Sequence, residues 1–346
     1  MKAVVIKKHG GPEVVNIEDV EEPIPKSSEV VVQVYSAALN HLDIWIRKGR
    51  GAEDFTKPHI LGSDGSGIIV EKGDNADGVN IGDKVVINPG LSCGKCEFCL
   101  RGQQSECASF GIVGMVRRGT FAEKVAVPVE NIRPKPAHLS FDEAAALPLS
   151  YVTAWRMLMT RTGLKPSDTI LIHGIGGGVA LACLQFAKMF GAQVIVTSSS
   201  DEKLEKAKTL CADFRINYKK VTDVAAEVLE ITSGRGVDII VDTIGAATMD
   251  INLTAARRGG KIVICGITSG AMAQANLQKV YWNQLTILGS TMGSNEDFRQ
   301  MIKAVANAKL KPVIDSVHSL ENAKQAMLKM ERAEQFGKIV LNIKGD

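Results

Sequence analysis

Residues 168–200, DTILIHGIGGGVALACLQFAKMFGAQVIVTSSS, decide the fold. An apolar strand-like run, ILIHG, stops at a cluster of glycines, and a helical run carrying Gln185 and Lys188 follows directly. A second apolar run, VIVT, comes roughly twenty residues later, the spacing of a dinucleotide-binding unit. Glycines at a strand-to-helix junction let backbone N–H groups approach a pyrophosphate and aim a helix N-terminus at it. Gly174, Gly176, Gly177 and Gly178, with Val179 behind them, are therefore read as a dinucleotide loop. The second strand runs into Thr197-Ser198-Ser199-Ser200-Asp201-Glu202-Lys203. An NAD enzyme normally places an acidic residue at this strand tip to hold both ribose hydroxyls. Small hydroxyls and a lysine stand here instead, so Ser198, Ser199 and Lys203 are assigned to a 2′-phosphate and NADPH is favoured over NADH. Asp201 is read as the cap of the next helix.

Working outward, DEKLEKAKTL (201–210), GVDIIVDTIG (236–245) and GKIVICG (260–266) continue at the spacing of βαβ units, which predicts a doubly wound parallel sheet. Upstream the texture differs. EVVVQV (29–34), GSGIIVEKG (65–73) and GDKVVINPG (82–90) are short β-branched runs broken by Gly and Pro, an all-β pattern. Ser140 and Glu143 form a capping-box signature that opens a helix in FDEAAALPLS. From residue 291 onward the pattern predicts a helix around 304–308, another around 320–332 and a last strand, GKIVLNI. The expected division is 1–150 with 291–346 as one domain and 151–290 as the nucleotide-binding domain.

The segment SCGKCEFCLRGQQSEC (92–107) places Cys93, Cys96, Cys99 and Cys107 at a C-x2-C-x2-C-x7-C spacing. Zinc in structural sites takes four soft ligands with no open position, and short Cys-x-x-Cys steps let one loop wrap the ion. Two disulfides would be the competing use. The N-terminal MKAVVIKKHGG reads as a strand rather than a signal segment, so a reduced, cytoplasmic setting with one structural zinc is expected. Cys183, Cys211 and Cys265 lie in apolar surroundings and are read as small core residues.

The remaining composition is that of an ordinary globular chain. With 346 residues, 45% hydrophobic and 23% charged, there is enough chain for two cores. The net charge of +3 is dispersed, with no basic cluster to mark a nucleic-acid or membrane partner. No apolar run reaches the length of a bilayer span. A small-molecule substrate is the expected partner.

Taken together, GSDGSG (62–67), the four-cysteine lobe, PLSYVTAW (148–155), the glycine loop, GVDIIVDTIGA (236–246), GKIVICGI (260–267) and FGKIVLNI (336–343) resemble the medium-chain dehydrogenase/reductase superfamily, in its order and over essentially the whole chain. ALNHLDIWIRKG (38–49), LGSDGSG (61–67) and TILGSTMGS (286–294) are most similar to its quinone oxidoreductase-like branch. The resemblance implies an α/β protein with a GroES-like β-barrel domain and a Rossmann domain, an active site in the cleft between them, and a homodimer or homotetramer joined through the Rossmann edge strand. It further implies that Thr153 lies against the nicotinamide, that Gly266, Ile267, Thr268, Ser290 and Met292 fold over the ring, and that Tyr218 flanks the adenosine phosphate.

Within that resemblance, alcohol dehydrogenases hold a catalytic zinc where this chain has Asn40, Ser63 and the pair Ser150/Tyr151. Amide and hydroxyl oxygens bind zinc far more weakly than thiolate or imidazole, so a second metal is not expected. Asn40 becomes the candidate donor to a carbonyl oxygen gaining charge, on a turn shared with Asp43, whose alternative use is structural. His41 and Tyr151 are candidate proton donors. Trp45 is a candidate wall of an apolar slot, and Lys48, Arg50 and Lys57 are candidates for binding an acyl-CoA. The leading expectation is an NADPH-dependent reductase of quinones, enones or enoyl thioesters. A zinc alcohol dehydrogenase and a non-catalytic NADPH-binding protein stay open as alternatives. His9, His59, His138, His173 and His318 have no partners at metal spacing and are read as structural.

Overall fold

The computed structural model describes residues 1–49 and 57–345. The chain forms two compact units, one comprising residues up to Val152 and from Met292 onward, the other Thr153–Thr291.

In the first unit the organiser is the strand Glu29–Ala38, EVVVQVYSAA. Its β-branched run fits a pleated, packed surface, and Val30, Val31, Val32 and Val34 are fully buried. It pairs antiparallel with Asp64–Lys72, Lys124–Pro128 and Lys338–Asn342. The resulting seven-stranded sheet runs out through Lys84–Ile87 to Ile132–Pro134 on one side. On the other, Lys338–Asn342 pairs parallel with Ile314–Ser319. A smaller sheet of Lys2–Ile6, Asn16–Asp19 and His59–Ile60 joins it where Val4 N–H donates to Phe121 O at 2.8 Å. The glycines of GSDGSG are demanded by close approach. A Cβ on Gly67 would stand 2.0 Å from Gln33 O, and Gly62, at φ +99°, would drive one to 2.3 Å from the Phe121 ring.

Several details depart from the sequence reading. Asn40 and Asp43 do not lie on a simple turn: Asn40 is the N-cap of a helix, His41–Arg47, within the β-rich region. The C-terminal segment has a longer helix than expected, Asn295–Ala308, then the unanticipated strand Ile314–Ser319, a 3-10 turn at Leu320–Asn322 and the helix Ala323–Glu331. The missed strand, IDSVHS, is a half-exposed edge strand, so its sequence carries little apolar signal. The Ser140 capping box is formed: Glu143 N–H donates to Ser140 Oγ at 3.1 Å and Ser140 N–H to Glu143 Oε2 at 2.9 Å, opening the helix Phe141–Ala145.

The second unit is a six-stranded parallel sheet in the spatial order Phe214–Asn217, Gln193–Ser198, Thr169–Ile172, Val237–Asp242, Ala256–Ile264, Thr286–Gly289. Every residue of Val237–Asp242 is buried, as a parallel strand covered on both faces requires. The chain winds outward from Thr169–Ile172 in one direction and then, from Val237–Asp242, in the other. That reversal opens a crevice at the carboxyl ends of these strands, where α/β sheets bind ligands. Cys183 is a buried core residue as expected, whereas Cys211 is exposed at φ +66° in the turn after a helix. No helix among the described residues is long and apolar enough to cross a membrane.

Candidate functional site

The glycine loop sits at the reversal point of the second unit. Gly174 and Gly176 take φ of +69° and +126°, conformations open chiefly to glycine, and a Cβ on Gly174 would meet Ile244 Cδ1 at 2.8 Å. Gly177 is the N-cap of the helix Gly178–Met189, so Gly178 and Val179 present the first N–H groups of that helix. Behind the loop, His173 is buried in a chain of hydrogen bonds. Asn252 Nδ2 donates to Asp242 Oδ2 at 2.6 Å, which leaves Asn252 Oδ1 to accept from His173 Nε2 at 2.9 Å and His173 Nδ1 to accept from Thr197 Oγ1 at 3.1 Å. Burial lowers the His173 pKa, so the neutral ring this chain requires is the stable one. Asp242 also accepts from Ile244 and Gly245 N–H, fixing the neighbouring loop.

At the second strand tip the structure separates the three serines. Ser198 is buried and its Oγ accepts from Ser200 N–H at 3.1 Å; Ser199 is half-buried. Ser200, not Asp201, caps the next helix, accepting from Lys203 N–H at 3.3 Å. Asp201 is drawn away by Lys220 at 2.6 Å and Asn217 at 2.7 Å, which hold its pKa down. Lys203 lies in the first turn of that helix and is half-buried. Beside this tip, His173, Thr197, Tyr218, Val221, Val224 and Ile251 are among the residues lining a cavity of about 280 Å³. Thr222 and Asp223 complete the lining, so apolar Val221, Val224 and Ile251 face polar groups, a mixed wall that suits a flat heteroaromatic group. Tyr218 is 48% exposed, so its ring forms the rim.

Across the same sheet, Gly266 packs so tightly on the preceding loop that a Cβ would stand 2.5 Å from Thr243 O. Thr268 Oγ1 donates to Thr243 O at 3.4 Å, and Ile267 follows Gly266 in this packed turn. Ser290 N–H donates to Ile264 O, while the buried Ser290 Oγ has no hydrogen-bond partner among the described residues. A buried orphan hydroxyl at a strand tip is what a polar ligand group would satisfy. Together with the strained glycines, it shows that these residues fit a dinucleotide. Thr153 is buried in this unit; Met292, at φ +48°, is buried in the other.

In the first unit, two short segments are laced together. Asp43 Oδ2 accepts from Asn40 N–H at 2.8 Å and Asp43 Oδ1 from Gly62 N–H at 3.1 Å. Asn40 Nδ2 donates to Asp64 Oδ2 at 2.9 Å, and Leu149 N–H donates to Asp64 Oδ1 at 2.8 Å. Lys338 Nζ completes the cluster with Leu39 O at 2.7 Å, Asn40 Oδ1 at 2.7 Å and Asp64 Oδ2 at 2.9 Å. Asp64 and Lys338 were missed in the sequence, where each is a lone charge in an apolar or glycine-rich run. Asn40 is 7% exposed. The Ser63 hydroxyl, fully buried between Gly62 and Asp64, has no partner among the described residues.

The other candidates diverge. Tyr151 is fully buried, which raises its pKa far above the ordinary phenol range against a hydrogen bond from the Val313 backbone. Burial and then the Lys338 charge lower the His41 pKa. The Trp45 ring lies 6.5 Å from that of His41, tilted at 49° to it. Lys48 is ion-paired with Glu331 at 2.7 Å, Lys57 is exposed, and Arg50 lies outside the described residues. The remaining histidines hydrogen-bond locally: His9 to Ile46 O, His59 to Gly114 O, His138 to Leu310 O and His318 to Ser316 Oγ.

The cysteine lobe has the geometry of a tetrathiolate site. Cys93, Cys96, Cys99 and Cys107 place their sulfurs all within 4.8 Å of one another, with three separations of 3.5, 3.5 and 3.9 Å. A zinc–sulfur bond of about 2.3 Å in a tetrahedron implies sulfurs roughly 3.8 Å apart. Gly94 and Gly102, at φ +71° and +76°, turn the chain around the sulfurs. The N–H groups of Lys95 and Cys96, then the Cys107 thiol, bring the Cys93 pKa down to about 6, toward the thiolate that zinc needs. Among the described residues this is the one group of three or more His, Cys, Asp or Glu side chains close enough to share a metal.

Two outcomes are expected from these centres. Elemental analysis should return one zinc per chain, and Cys96→Ser should lower the melting temperature and the zinc content before it affects nucleotide binding. Burial pushes the Asp43 pKa up to about 7, over the opposing hydrogen bond from Asn40 N–H, with the Asp64 charge adding to the rise and Lys338 and Gly62 N–H opposing it. A carboxyl protonated more readily when folded stabilises fully below about pH 4, and that contribution, a few kcal/mol at most, is lost as pH rises through about 7. Urea titrations at pH 5 and pH 8 should show a smaller loss of stability for Asp43→Asn than for the unmodified protein; parallel losses would contradict it.

Residues 26–137 match the alcohol dehydrogenase GroES-like domain and residues 178–307 the zinc-binding dehydrogenase family. An NAD-dependent alcohol dehydrogenase of Sulfolobus acidocaldarius is 33% identical over 353 residues, covering 99% of this chain and 100% of that protein. A crystal structure of an NAD-dependent alcohol dehydrogenase is 44% identical, with a TM-score of 0.94 over 99% of both chains. An acryloyl-coenzyme A reductase of Sulfurisphaera tokodaii is 29% identical over 99% of each. The glycine loop, the thiolate lobe and these matches agree: the chain belongs to the zinc-containing, alcohol dehydrogenase-like medium-chain dehydrogenase/reductase superfamily, oxidoreductases with a GroES-like and a Rossmann domain.

Proposed function

We propose that this protein is an NADPH-dependent reductase of acceptors with a conjugated carbonyl, such as a quinone, an enone or an enoyl thioester, and that it works without a catalytic metal. The observation that carries this reading is the donor set: Asn40, Ser63, Ser150 and Tyr151 offer an amide and hydroxyls where the alcohol dehydrogenase pattern has zinc ligands. Similarity to an acryloyl-coenzyme A reductase supports an enoyl thioester among the acceptors.

The nicotinamide, when bound, supplies the hydride that the β-carbon of the acceptor receives. The acceptor's carbonyl oxygen then gains enolate charge, and the Asn40 amide N–H donates to it. The α-carbon subsequently takes a proton. With its pKa lowered, His41 is mostly neutral at pH 7 and is a better acceptor than acid. Tyr151 holds its proton tightly, so solvent is the favoured proton source. In the nucleotide half, Ser199, Lys203 and the strand-tip Ser198 would receive the 2′-phosphate, and the cavity rimmed by Tyr218 would take the adenine. Seven cysteines outside any disulfide favour a reducing, cytoplasmic setting. The outer strand Thr286–Gly289, with Tyr281, Trp282 and Ile287 exposed near it, favours a homo-oligomer.

The names of several relatives favour a second reading, a zinc-type alcohol dehydrogenase. The two readings separate on substrate. NADPH oxidation should be measurable with quinones, enones or enoyl thioesters, and simple alcohols should be oxidised negligibly. Asn40→Ala should lower kcat at least tenfold with little change in NADPH affinity, because the hydrogen bond strengthens as enolate charge develops. Alcohol oxidation that a chelator abolishes, with no enone or quinone turnover, would establish the second reading. If no acceptor of either class is turned over, the protein binds NADPH without catalysis.

Cofactor choice has its own test. Ser198→Asp places a carboxylate at the strand tip, where it can keep the Ser200 N–H bond but repels a 2′-phosphate. The binding free-energy preference for NADPH over NADH should fall by about 1 to 3 kcal/mol. Equal affinities in the unmodified protein would remove the NADPH assignment.

A further inference from the structure

Lys338 is a buried cation that the proposed chemistry leaves without a role. It opens the strand Lys338–Asn342, is 3% exposed, and directs its three N–H donors to Leu39 O, Asn40 Oδ1 and Asp64 Oδ2. Asp64 in turn accepts from Asn40 Nδ2 at 2.9 Å. The two ends of the Asn40 amide are thereby assigned by chemistry alone. An ammonium is a donor only, so the atom it touches is the carbonyl oxygen; a carboxylate is an acceptor, so the atom it touches is the amide nitrogen.

We infer that Lys338 is a positioning residue for the reduction, locking the Asn40 amide so that its second N–H, rather than its oxygen, is offered to the acceptor's carbonyl oxygen. This rests on the donor role proposed for Asn40. Rotating that amide by half a turn would set Nδ2 against the Lys338 ammonium and Oδ1 against the Asp64 carboxylate, exchanging two attractive contacts for two repulsive ones. The second hydrogen of Nδ2 has no partner among the described residues. Because the Lys338–Asp64 pair is neutral as a unit, it orients the amide without placing a net charge beside the acceptor. An Asn held by neutral neighbours would present oxygen and nitrogen interchangeably, and the oxygen would repel the enolate.

The test is a double-mutant cycle on the full-length protein, with an enone as acceptor. Lys338→Met should lower kcat about tenfold or more while the acceptor KM and the NADPH Kd change by less than about threefold. In the Asn40→Ala background the same substitution should cost less than about threefold, because the amide it orients is gone. Lys338→Arg, which keeps the charge and the donors, should recover most of the lost kcat. Lys338→Met leaves Asp64 without its cation, so the charge-balanced variant Lys338→Met/Asp64→Asn, with melting temperature followed alongside, reads the same loss if the single variant does not fold. Equal kcat losses with Asn40 intact and in the Asn40→Ala background, or a Lys338→Met protein with unchanged kcat, would overturn the inference. If Asn40→Ala itself leaves kcat unchanged, the donor role fails first, which distinguishes that failure from this one.

Discussion

The ion pair between Lys338 and Asp64 is the interaction on which the first unit's polar patch depends. The side chains are 4% and 0% exposed at 2.9 Å. Removing two charges from water costs several kcal/mol per ion, and their attraction offsets this only when the remaining hydrogen-bonding capacity is filled. Here it is filled: the ammonium uses all three donors, and the two carboxylate oxygens accept from Asn40, Lys338 and Leu149. One pair thus ties the end of the central strand, the GSDGSG segment, the Pro148–Trp155 helix and the last strand. Well-packed apolar residues of similar volume are often as stable as a buried ion pair or more so. Stability alone therefore gives little reason for these positions to be charged, whereas the proposed demand for one amide orientation gives one.

How legible each part was in the sequence follows from how locally its physics is written. The parallel sheet was readable because strand, glycine turn and helix are consecutive, and because Val237–Asp242 is apolar throughout its middle and buried along its whole length. The thiolate lobe was readable for the same reason: its four ligands lie within fifteen residues of one another. Lys338 and Asp64 were not, since their partnership spans a sequence separation of 274 and each looks like an isolated charge. The cap of the helix Asp201–Thr209 was misassigned by one residue, because Ser200 and Asp201 are both good caps and only the pull of Asn217 and Lys220 chooses between them. Cys211 looked apolar by its neighbours, yet a left-handed turn carries it to the surface.

The nucleotide half shows the same division between what is local and what is assembled. The glycines were visible, but their geometry is maintained by residues brought from elsewhere: Thr197, His173, Asn252 and Asp242 form one chain of hydrogen bonds across neighbouring strand ends and a helix. His173, read in the sequence as structural from its lack of metal-spaced partners, is a link of that chain and also lines the neighbouring cavity. Its position also ties the first strand end to the second, so the loop and the Ser198 tip are held by a common support.

Magnitudes bear on the chemistry proposed for the first unit. Zinc lowers the pKa of a bound water from 15.7 to about 7, worth about 12 kcal/mol toward forming a localised oxyanion. One preorganised hydrogen bond to a developing oxyanion is worth about 3 to 4 kcal/mol. An alkoxide formed at neutral pH needs help on the larger scale, which the amide and hydroxyls of the proposed donor set would not provide. A conjugated acceptor asks for far less, because its enolate spreads the incoming charge through the conjugated system. In the proposed mechanism Asn40, held by Lys338 and Asp64, would meet that smaller demand. The thiolates of the cysteine lobe, which fit a closed metal site, offer zinc no open position for substrate. On the proposed reading, metal binding and acceptor chemistry fall to different residues of the same unit.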